Sequence, residues 1–560
     1  MKHMPVKVMA GSALEAALTR LARDARRGAL SRDAALARVD AAALRELLRP
    51  RLEPAALAGL PRWSGGLTGS AGAASGRLYL SAEALLAAKR EAAAPGYVLA
   101  LPEALAADVP GLAAADAVIS AEGGYAAHAA VLARQYGTAA VLAPGLRIRG
   151  KKALLGGLAL HEGDPVSVDA PAAAPPSVYA GAVPLAREAR GGPALRAVLG
   201  LARDALREAG FAVRCNADSA PDAALGRALG AEGVGLCRTE HMFFAPERLP
   251  FFQALLLSAA RGERDAALEA LFHFQQDDFY ALLAAAAGKP VTIRLLDAPL
   301  HEFLPPPSAR EIAPLASRMG LSAREARARI ASLREKNPML GLRGCRVGVV
   351  FPELYAMQVR AIMAAACRAR RERKKVTLDI LIPFVINERE CKLIAYGRKI
   401  EGGGFAGIAG AAEAFFAEAG ERAIPFRIGA MIETPAAALA AAGIARYAAF
   451  FCIGGNDLTQ TALGISRDDC GSFLPAYTRA DLIAADPFAA LEGPAAELAE
   501  TALERGRQTR PGLPCCFCGE QAASPQGARW CAASGFDSIS CSSRAVPIAA
   551  LAAAQTLAGG

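Results

Sequence analysis

Apolar positions along the chain change their spacing twice. Between residues 13 and 60, Leu and Ala recur every three or four places, the period of a helix with one buried face, and the run is broken at Gly28, Pro50 and Pro54. From Leu67 the pattern shortens to apolar runs punctuated by glycine, such as RLYLSAE, GYVLALPE, AVISAEGG, TAAVL, KALLGG and DPVSVD. These predict a compact α/β or mostly β unit that ends near Val178, where APAAAPPS marks a boundary. A second charged, helical stretch follows at about 185–209.

Beyond it, short apolar runs alternate with long helical patterns. Eight such runs stand out: FAVRCN (211–216), GVGLC (233–237), PVTIRLL (290–296), LDILIPFV (378–385), RIGAMIE (427–433), AFFCIG (449–454), LPCCFC (513–518) and DSISCS (537–542). A strand apolar on both faces must be covered on both, which a parallel sheet wrapped by helices provides, and eight of them predict a closed barrel. The third crossover, 298–377, holds about 80 residues, long for such a connection, and is expected to make a helical excursion over the mouth. The expected architecture is α/β: a C-terminal (β/α)8 TIM barrel at 210–560, a small α/β domain at 63–182, and helical segments at 1–62 and 183–209.

Composition narrows the function. The chain has 560 residues, too many for one ordinary domain, and its 53% hydrophobic content owes much to Ala. No run of about 18 uncharged apolar residues appears, which argues against a membrane span. The start, MKHMPVKVMAGSALEAALTR, reaches Glu15 and Arg20 too soon for a secretory signal. Twelve cysteines are scattered, and Cys515, Cys516 and Cys518 lack a second pair at zinc-ribbon spacing, so reduced thiols in a cytoplasmic protein are expected. The net charge of +9 suits a nucleic-acid partner less than an anionic small substrate, because aromatics make up only 6% and the basic residues are mixed with acidic ones along helical stretches.

In barrels of this kind chemistry sits where the strands end. That rule picks out Arg238 after strand two, Arg294 and Asp297 at strand three, Glu433 after strand five, GGND (Gly454, Gly455, Asn456, Asp457) after strand six and Cys518 at strand seven. Two guanidinium groups can grip a phosphate, and two carboxylates with further oxygens make a magnesium site, with manganese an alternative. Taken singly, each arginine reads equally as an ion-pair partner, Glu433 as a solvated or capping acid, and Cys518 as an inert buried thiol. Their shared position at strand ends is what points to a phosphorylated acid as substrate.

The segments GAEGVGLCRTEHMFF, KPVTIRLLDAPLHEFLP, NPMLGLRGCRVG, IGAMIETP, GGNDLTQTALGISRDDCGSFLP and CCFCGE closely resemble the carboxy-terminal barrel of the pyruvate phosphate dikinase family, with family-like spacing from about residue 20 to the end. The resemblance implies that phosphoenolpyruvate or pyruvate binds with Mg2+, that Arg238 and Arg294 hold the phosphoryl group, and that Glu433 and Asp457 ligate the metal. Cys518 would protonate the enolate carbon, a role that suits a thiol with an ordinary pKa of about 8.5. Arg343, Asp297 and Asn456, with Gly454 and Gly455, would be supporting substrate contacts.

Upstream, GGYAAHAAVLARQYG sets His128 after Gly123 and Gly124 at the opening of an apolar helix, where free N–H groups favour an anion. Without context this is equally a surface or capping histidine. In the family the position is the phosphoacceptor on a swivelling domain, so residues 63–182 are expected to be that phosphohistidine domain. The other five histidines, including His241 and His301, read as structural.

Four positions depart from the family pattern. Ala126 and Ala127 replace the Thr and Ser usual before the histidine, removing hydroxyls that would orient the ring or receive a regulatory phosphate. Gly455 stands where Thr is usual, and Leu342 where His is usual. No GxxxxGK loop appears, so the ATP half of the family's reaction is expected to be absent from this chain, leaving phosphoenolpyruvate + His = pyruvate + phospho-His unless a separate nucleotide-binding subunit takes part. The family also implies a homodimer through the barrel. Two alternatives are a phosphoryl donor to a partner protein, as in the sugar phosphotransferase system, and a catalytically silent phosphoenolpyruvate-binding homologue. The first is disfavoured because no helical docking insertion precedes His128.

Overall fold

The computed structural model of the protein describes residues 11–91, 96–103, 108–121, 133, 138–171, 174–186, 192–245, 247–258, 261–305, 312–335, 337, 339–398, 406–467, 470, 473–483, 487–488, 491 and 493–558. The chain divides into two compact units, Met1–Leu201 and Ala202–Gly560. Among the described residues no helix is long and apolar enough to cross a membrane.

The first unit opens with helices Gly11–Arg26, Arg32–Ala37 and Ala41–Leu48, broken at Gly28 and Pro50 as their composition dictates. Ser31 caps the second by accepting the Ala34 N–H at 3.2 Å. Eleven strands follow: β1 Arg62–Ser64, β2 Leu67–Ser70, β3 Gly72–Tyr79, β4 Tyr97–Leu101, β5 Ala117–Ser120, β6 Ala139–Leu142, β7 Leu146–Arg149, β8 Lys152–Leu155, β9 Leu158–His161, β10 Pro165–Ala170 and β11 Ser177–Ala180. Eight form one sheet in the order β1-β11-β10-β3-β4-β5-β6-β2, and β7-β8-β9 form a second. From β3 to β6 the pairing is parallel, and β4, β5 and β6 are buried on both faces. One face packs on the small sheet through Val98, Ile119, Val141, Leu155 and Leu160. The other packs on helices Ala82–Glu91 and Val109–Ala114 through Leu85, Leu99, Leu112 and Val118. His128 lies between β5 and β6, outside the described residues, as do Ala126 and Ala127.

The second unit is a closed barrel of eight parallel strands in sequential order: β12 Ala212–Asn216, β13 Val234–Arg238, β14 Pro290–Arg294, β15 Thr377–Ile382, β16 Phe426–Ile432, β17 Phe451–Gly454, β18 Cys515–Cys518 and β19 Ser538–Ser542. Each overlaps one of the eight apolar runs. Inside the barrel, Leu236, Leu381, Met431, Cys452, Cys516 and Cys518 share a buried cluster with Phe450. Phe517, pointing outward between them, packs on Trp530 and Phe536, with ring centroids 5.8 and 5.9 Å away. All twelve cysteines are free and buried.

The crossover from β14 to β15 resolves into two parts. Its last helix, Pro352–Arg371, packs alongside helices Arg261–Ala286 and Gly407–Ala419 as an ordinary member of the outer ring. The excursion is what precedes it, the turn Leu300–Phe303 and helices Ile312–Arg318, Ala323–Leu333 and Cys345–Val350. Ser322 and Glu325 make a capping box that starts the Ala323–Leu333 helix. Backbone hydrogen bonds from Gly344 to Asp297 (3.2 Å) and from Cys345 to Pro383 (3.0 Å) fasten the end of the excursion to the strand-end loops.

Candidate active site

The excursion delivers Arg343 to the barrel mouth through a backbone turn that only glycine makes without strain. Gly344 has φ +58°, and a Cβ there would lie 2.3 Å from Phe384 Cβ and 3.0 Å from Asp297 Oδ1. Phe384 itself has φ +55°, an uncommon value for a residue with a side chain. That strained turn aims its N–H at Glu433 Oε1, 2.8 Å away, and sets its ring 4.4 Å from the Arg343 guanidinium.

Arg343 then joins two carboxylates. Its Nε and Nη2 donate to Asp297 at 3.1 and 2.7 Å, and its Nη1 and Nη2 donate to Asp457 at 3.2 and 3.3 Å. Arg294, at the end of β14, is 5% exposed. It pairs with Asp297 at 3.0 Å and, closely, with Glu240. Burial works to raise the Asp297 carboxyl, but Arg343 and Arg294 outweigh it and hold it below the ordinary range.

Glu433 follows β16 and is fully buried. One carboxyl oxygen of Asp297, Glu433 and Asp457 each lies within 4.8 Å of the others. Burial, with Asp297 and Asp457 adding like charge, pushes Glu433 well above the usual carboxylate range. Among the described residues its Oε2 has no hydrogen-bond partner. Asp297, Glu433, Asp457 and Glu240 bring four negative charges and Arg294, Arg343 and the neighbouring Arg238 three positive ones, so negative charge remains in surplus. A proton on Glu433 or a divalent cation would offset it. Buried all-oxygen donors and a bare carboxylate oxygen therefore fit magnesium.

The remaining predicted residues stand on the same rim. Arg238 ends β13 directly beside Arg294, its register partner on β14. Gly454 of β17 pairs with Cys518 of β18. Helix Gly455–Leu463 starts there, at the carboxyl end of β17, with no side-chain N-cap hydrogen bond among the described residues. Asn456 Oδ1 accepts the Glu520 N–H at 3.2 Å. Cys518 is buried at the carboxyl end of β18. A Cβ at Gly455 would lie 2.6 Å from the Phe517 ring and 2.9 Å from Gln521 Oε1, so these side chains fill the space a threonine would need. The expectation for His128 falls outside the described residues.

Three contributors carry little sequence signal. Glu240, two places past Arg238, is the buried partner of Arg294. Asp218, beyond β12, accepts the Arg238 N–H at 2.7 Å and holds His241 Nδ1 at 2.7 Å. The third is the Phe384 main chain. An acid following RT in CRTEH is the one hint available for Glu240.

A closed parallel barrel with buried arginines and carboxylates at its carboxyl rim agrees with what sequence comparison finds. The family described as PEP-utilising enzyme, PEP-binding domain, matches residues 201–558, and that described as PEP-utilising enzyme, mobile domain, matches 93–172. The chain belongs to the PEP-utilising enzyme family. It is 43% identical over 521 residues to the pyruvate, phosphate dikinase of Treponema pallidum (strain Nichols), covering 91% of this chain and 58% of that protein. It is 39% identical over 533 residues to that of Clostridium symbiosum, covering 94% and 59%, and 39% identical over 545 residues to that of Rhizobium meliloti (strain 1021), covering 96% and 58%. The chain thus spans a little under three fifths of the length of these relatives.

Proposed function

We propose that the barrel binds phosphoenolpyruvate or pyruvate with magnesium, and that the chain exchanges a phosphoryl group between phosphoenolpyruvate and His128. The observation that carries this reading is the cluster of buried Asp297 and Glu433 with half-buried Asp457 beside Arg294 and Arg343, with its surplus negative charge and the Glu433 oxygen left without a hydrogen bond among the described residues. The names of the relatives support the choice of substrate.

Arg238 and Arg294 are the groups to hold the phosphoryl oxygens, since adjacent guanidinium groups match phosphate geometry. Arg343, Asn456 and the N–H groups at the start of helix Gly455–Leu463 serve the carboxylate and enolate oxygens. Glu433 and Asp457 would hold magnesium, which would supply positive charge for the oxygens on which negative charge develops. An imidazole nitrogen of His128 forms a bond to phosphorus while the bond from phosphorus to the enolate oxygen breaks, and that oxygen keeps the electron pair. The Cys518 thiol gives its proton to the methylene carbon, making the methyl group of pyruvate, and the thiolate regains a proton from water. Burial of Cys518 keeps water from the carbon in the meantime.

The test is incubation of the protein with radiolabelled phosphoenolpyruvate and magnesium, scoring pyruvate and acid-labile label on protein beside His128→Ala. Stoichiometric label that disappears in the variant is the expected result. Absence of label while calorimetry still detects phosphoenolpyruvate binding would refute phosphotransfer and leave a silent binding homologue.

A further inference from the structure

The opposite rim of the barrel carries a charge feature that the mouth chemistry does not use. Two loops enter the barrel side by side there: 372–376, between helix Pro352–Arg371 and β15, and 420–425, between helix Gly407–Ala419 and β16. A cleft of about 530 Å³ opens between them, lined by Arg370, Lys374, Lys375, Arg422 and Glu421, with Val376, Ile424 and Pro425 as apolar wall. Four cations and one carboxylate thus line the cleft, and the adjoining positions Arg371, Glu372 and Arg373 add two cations and one carboxylate in sequence. Most of this concentration is already present in the sequence, where RARRERKK (368–375) holds six bases and one acid; the fold adds Arg422 and Glu421 from about 50 positions on.

Partners divide these cations into two sets. Glu421 pins Arg370 at 2.8 Å and Arg371 at 3.2 Å, and Glu372 holds Lys374 at 2.5 Å. Among the described residues, Arg373, Lys375 and Arg422 are exposed and make no ion pair within 4.0 Å. Cations in the last turn of helix Pro352–Arg371 are accounted for by its dipole. That account does not reach Lys375 or Arg422, which lie beyond the helix and on the other loop. Lys375 and Arg422 line the cleft from its two loops, so an anion between them gains from both.

We propose that this cleft binds a small organic polyphosphate of nucleoside di- or triphosphate size. Its volume falls in the range of small-molecule sites, about 300–1,000 Å³. Pinned guanidinium groups offer paired donors to phosphate oxygens, the free lysine and arginine supply point charge, and Val376, Ile424 and Pro425 offer an apolar surface to the organic part. A ligand here sits at the amino-terminal ends of β15 and β16, away from the reacting groups, and acts as an effector rather than a substrate.

The experiment is calorimetric titration of the full chain with ATP, ADP and inorganic triphosphate, without magnesium, at about 0.15 M salt. The double variant Lys375→Ala/Arg422→Ala and, at the mouth, Arg238→Ala are titrated in parallel. Binding tighter than about 1 mM that weakens about tenfold or more in the double variant, and is unchanged in Arg238→Ala, supports the cleft. Equal affinity for ATP and triphosphate identifies the phosphate chain as the recognised part, and tighter ATP binding adds the nucleoside. Failure of all three probes to bind, or undiminished affinity in the double variant, overturns the proposal. Both replaced side chains are exposed and unpaired, and an unchanged thermal midpoint checks that the variant is folded.

Discussion

Replacing Glu433 by Gln separates a cation ligand from an ordinary structural acid, because the two roles give opposite signs. Glu433 is buried, its Oε1 is satisfied by the Phe384 N–H at 2.8 Å, and among the described residues its Oε2 has no partner. Glutamine keeps the volume and that acceptor, removes a charge from a crowded set of carboxylates, and turns an amide toward Asp297 and Asp457. An amide of the same shape relieves the crowded acids whether Glu433 is charged or carries a proton, so without a divalent cation the variant should match or slightly exceed the parent. Magnesium at about a hundred times its Kd should add about 2.7 kcal/mol to the parent and little to the variant, reversing the order. The assay is urea unfolding with and without magnesium in a Trp63→Phe background, so that Trp530 alone, packed on the barrel strand β18 through Phe517, reports the barrel's transition. A variant that loses stability without magnesium, yet keeps the full magnesium increment, refutes the assignment of Glu433 as a ligand.

Gly344→Ala should cost about 1–3 kcal/mol from its left-handed backbone alone, and more from the 2.3 Å approach to Phe384; thermal unfolding gives the loss, and calorimetry should show weaker phosphoenolpyruvate binding. Cys518→Ala should leave phosphoenolpyruvate binding within about tenfold of the parent while lowering pyruvate release by about 10²–10⁴, read by single-turnover quench. His241 is raised above its ordinary value by its hydrogen bond to Asp218, with Glu240 also raising it and burial and Arg238 opposing. Its contribution is therefore complete below about pH 6.5 and lost as pH rises through the raised value. Half-exposure limits that contribution to under about 1 kcal/mol, and urea midpoints from slightly acid to alkaline pH should fall in the parent and flatten in His241→Gln.

Burial is the property that makes the barrel legible in its sequence, and burial also explains where the reading overshoots. PVTIRLL runs on through Leu295 and Leu296, and LDILIPFV through Phe384 and Val385, yet β14 ends at Arg294 and β15 at Ile382. All four extra residues are buried, because the excursion covers the strand-end loops, and an apolar run records cover rather than pairing. The strand-end rule then finds Arg238, Arg294, Asp297, Glu433, Asp457 and Cys518, since each follows its strand within a few places. Arg343 has no such anchor and enters only through the resemblance. Its place depends on Gly344, on Phe384 and on a crossover that returns to Asp297 after 46 positions.

The same physics governs what stays hidden at both rims. Glu240 reaches Arg294 across 54 positions, the Phe384 N–H reaches Glu433 across 49, and Arg370 reaches Glu421 across 51. A window along the chain averages charge over neighbours in sequence, whereas parallel strands bring together residues one whole βα unit apart. At the mouth this gathers four carboxylates around three guanidinium groups, and at the far rim it adds Arg422 and Glu421 to a stretch, 370–375, that is already basic. Neither imbalance is visible in a net charge of +9 spread over 560 residues. Each surplus is opposite in sign to the partner proposed for it: a divalent cation at the mouth, a polyanion at the far rim. Raising salt should therefore weaken polyphosphate binding at the exposed rim far more than magnesium binding among buried carboxylates. Paired titrations at two salt concentrations measure that difference, and equal salt dependence at both ends would contradict the burial argument on which the two assignments rest.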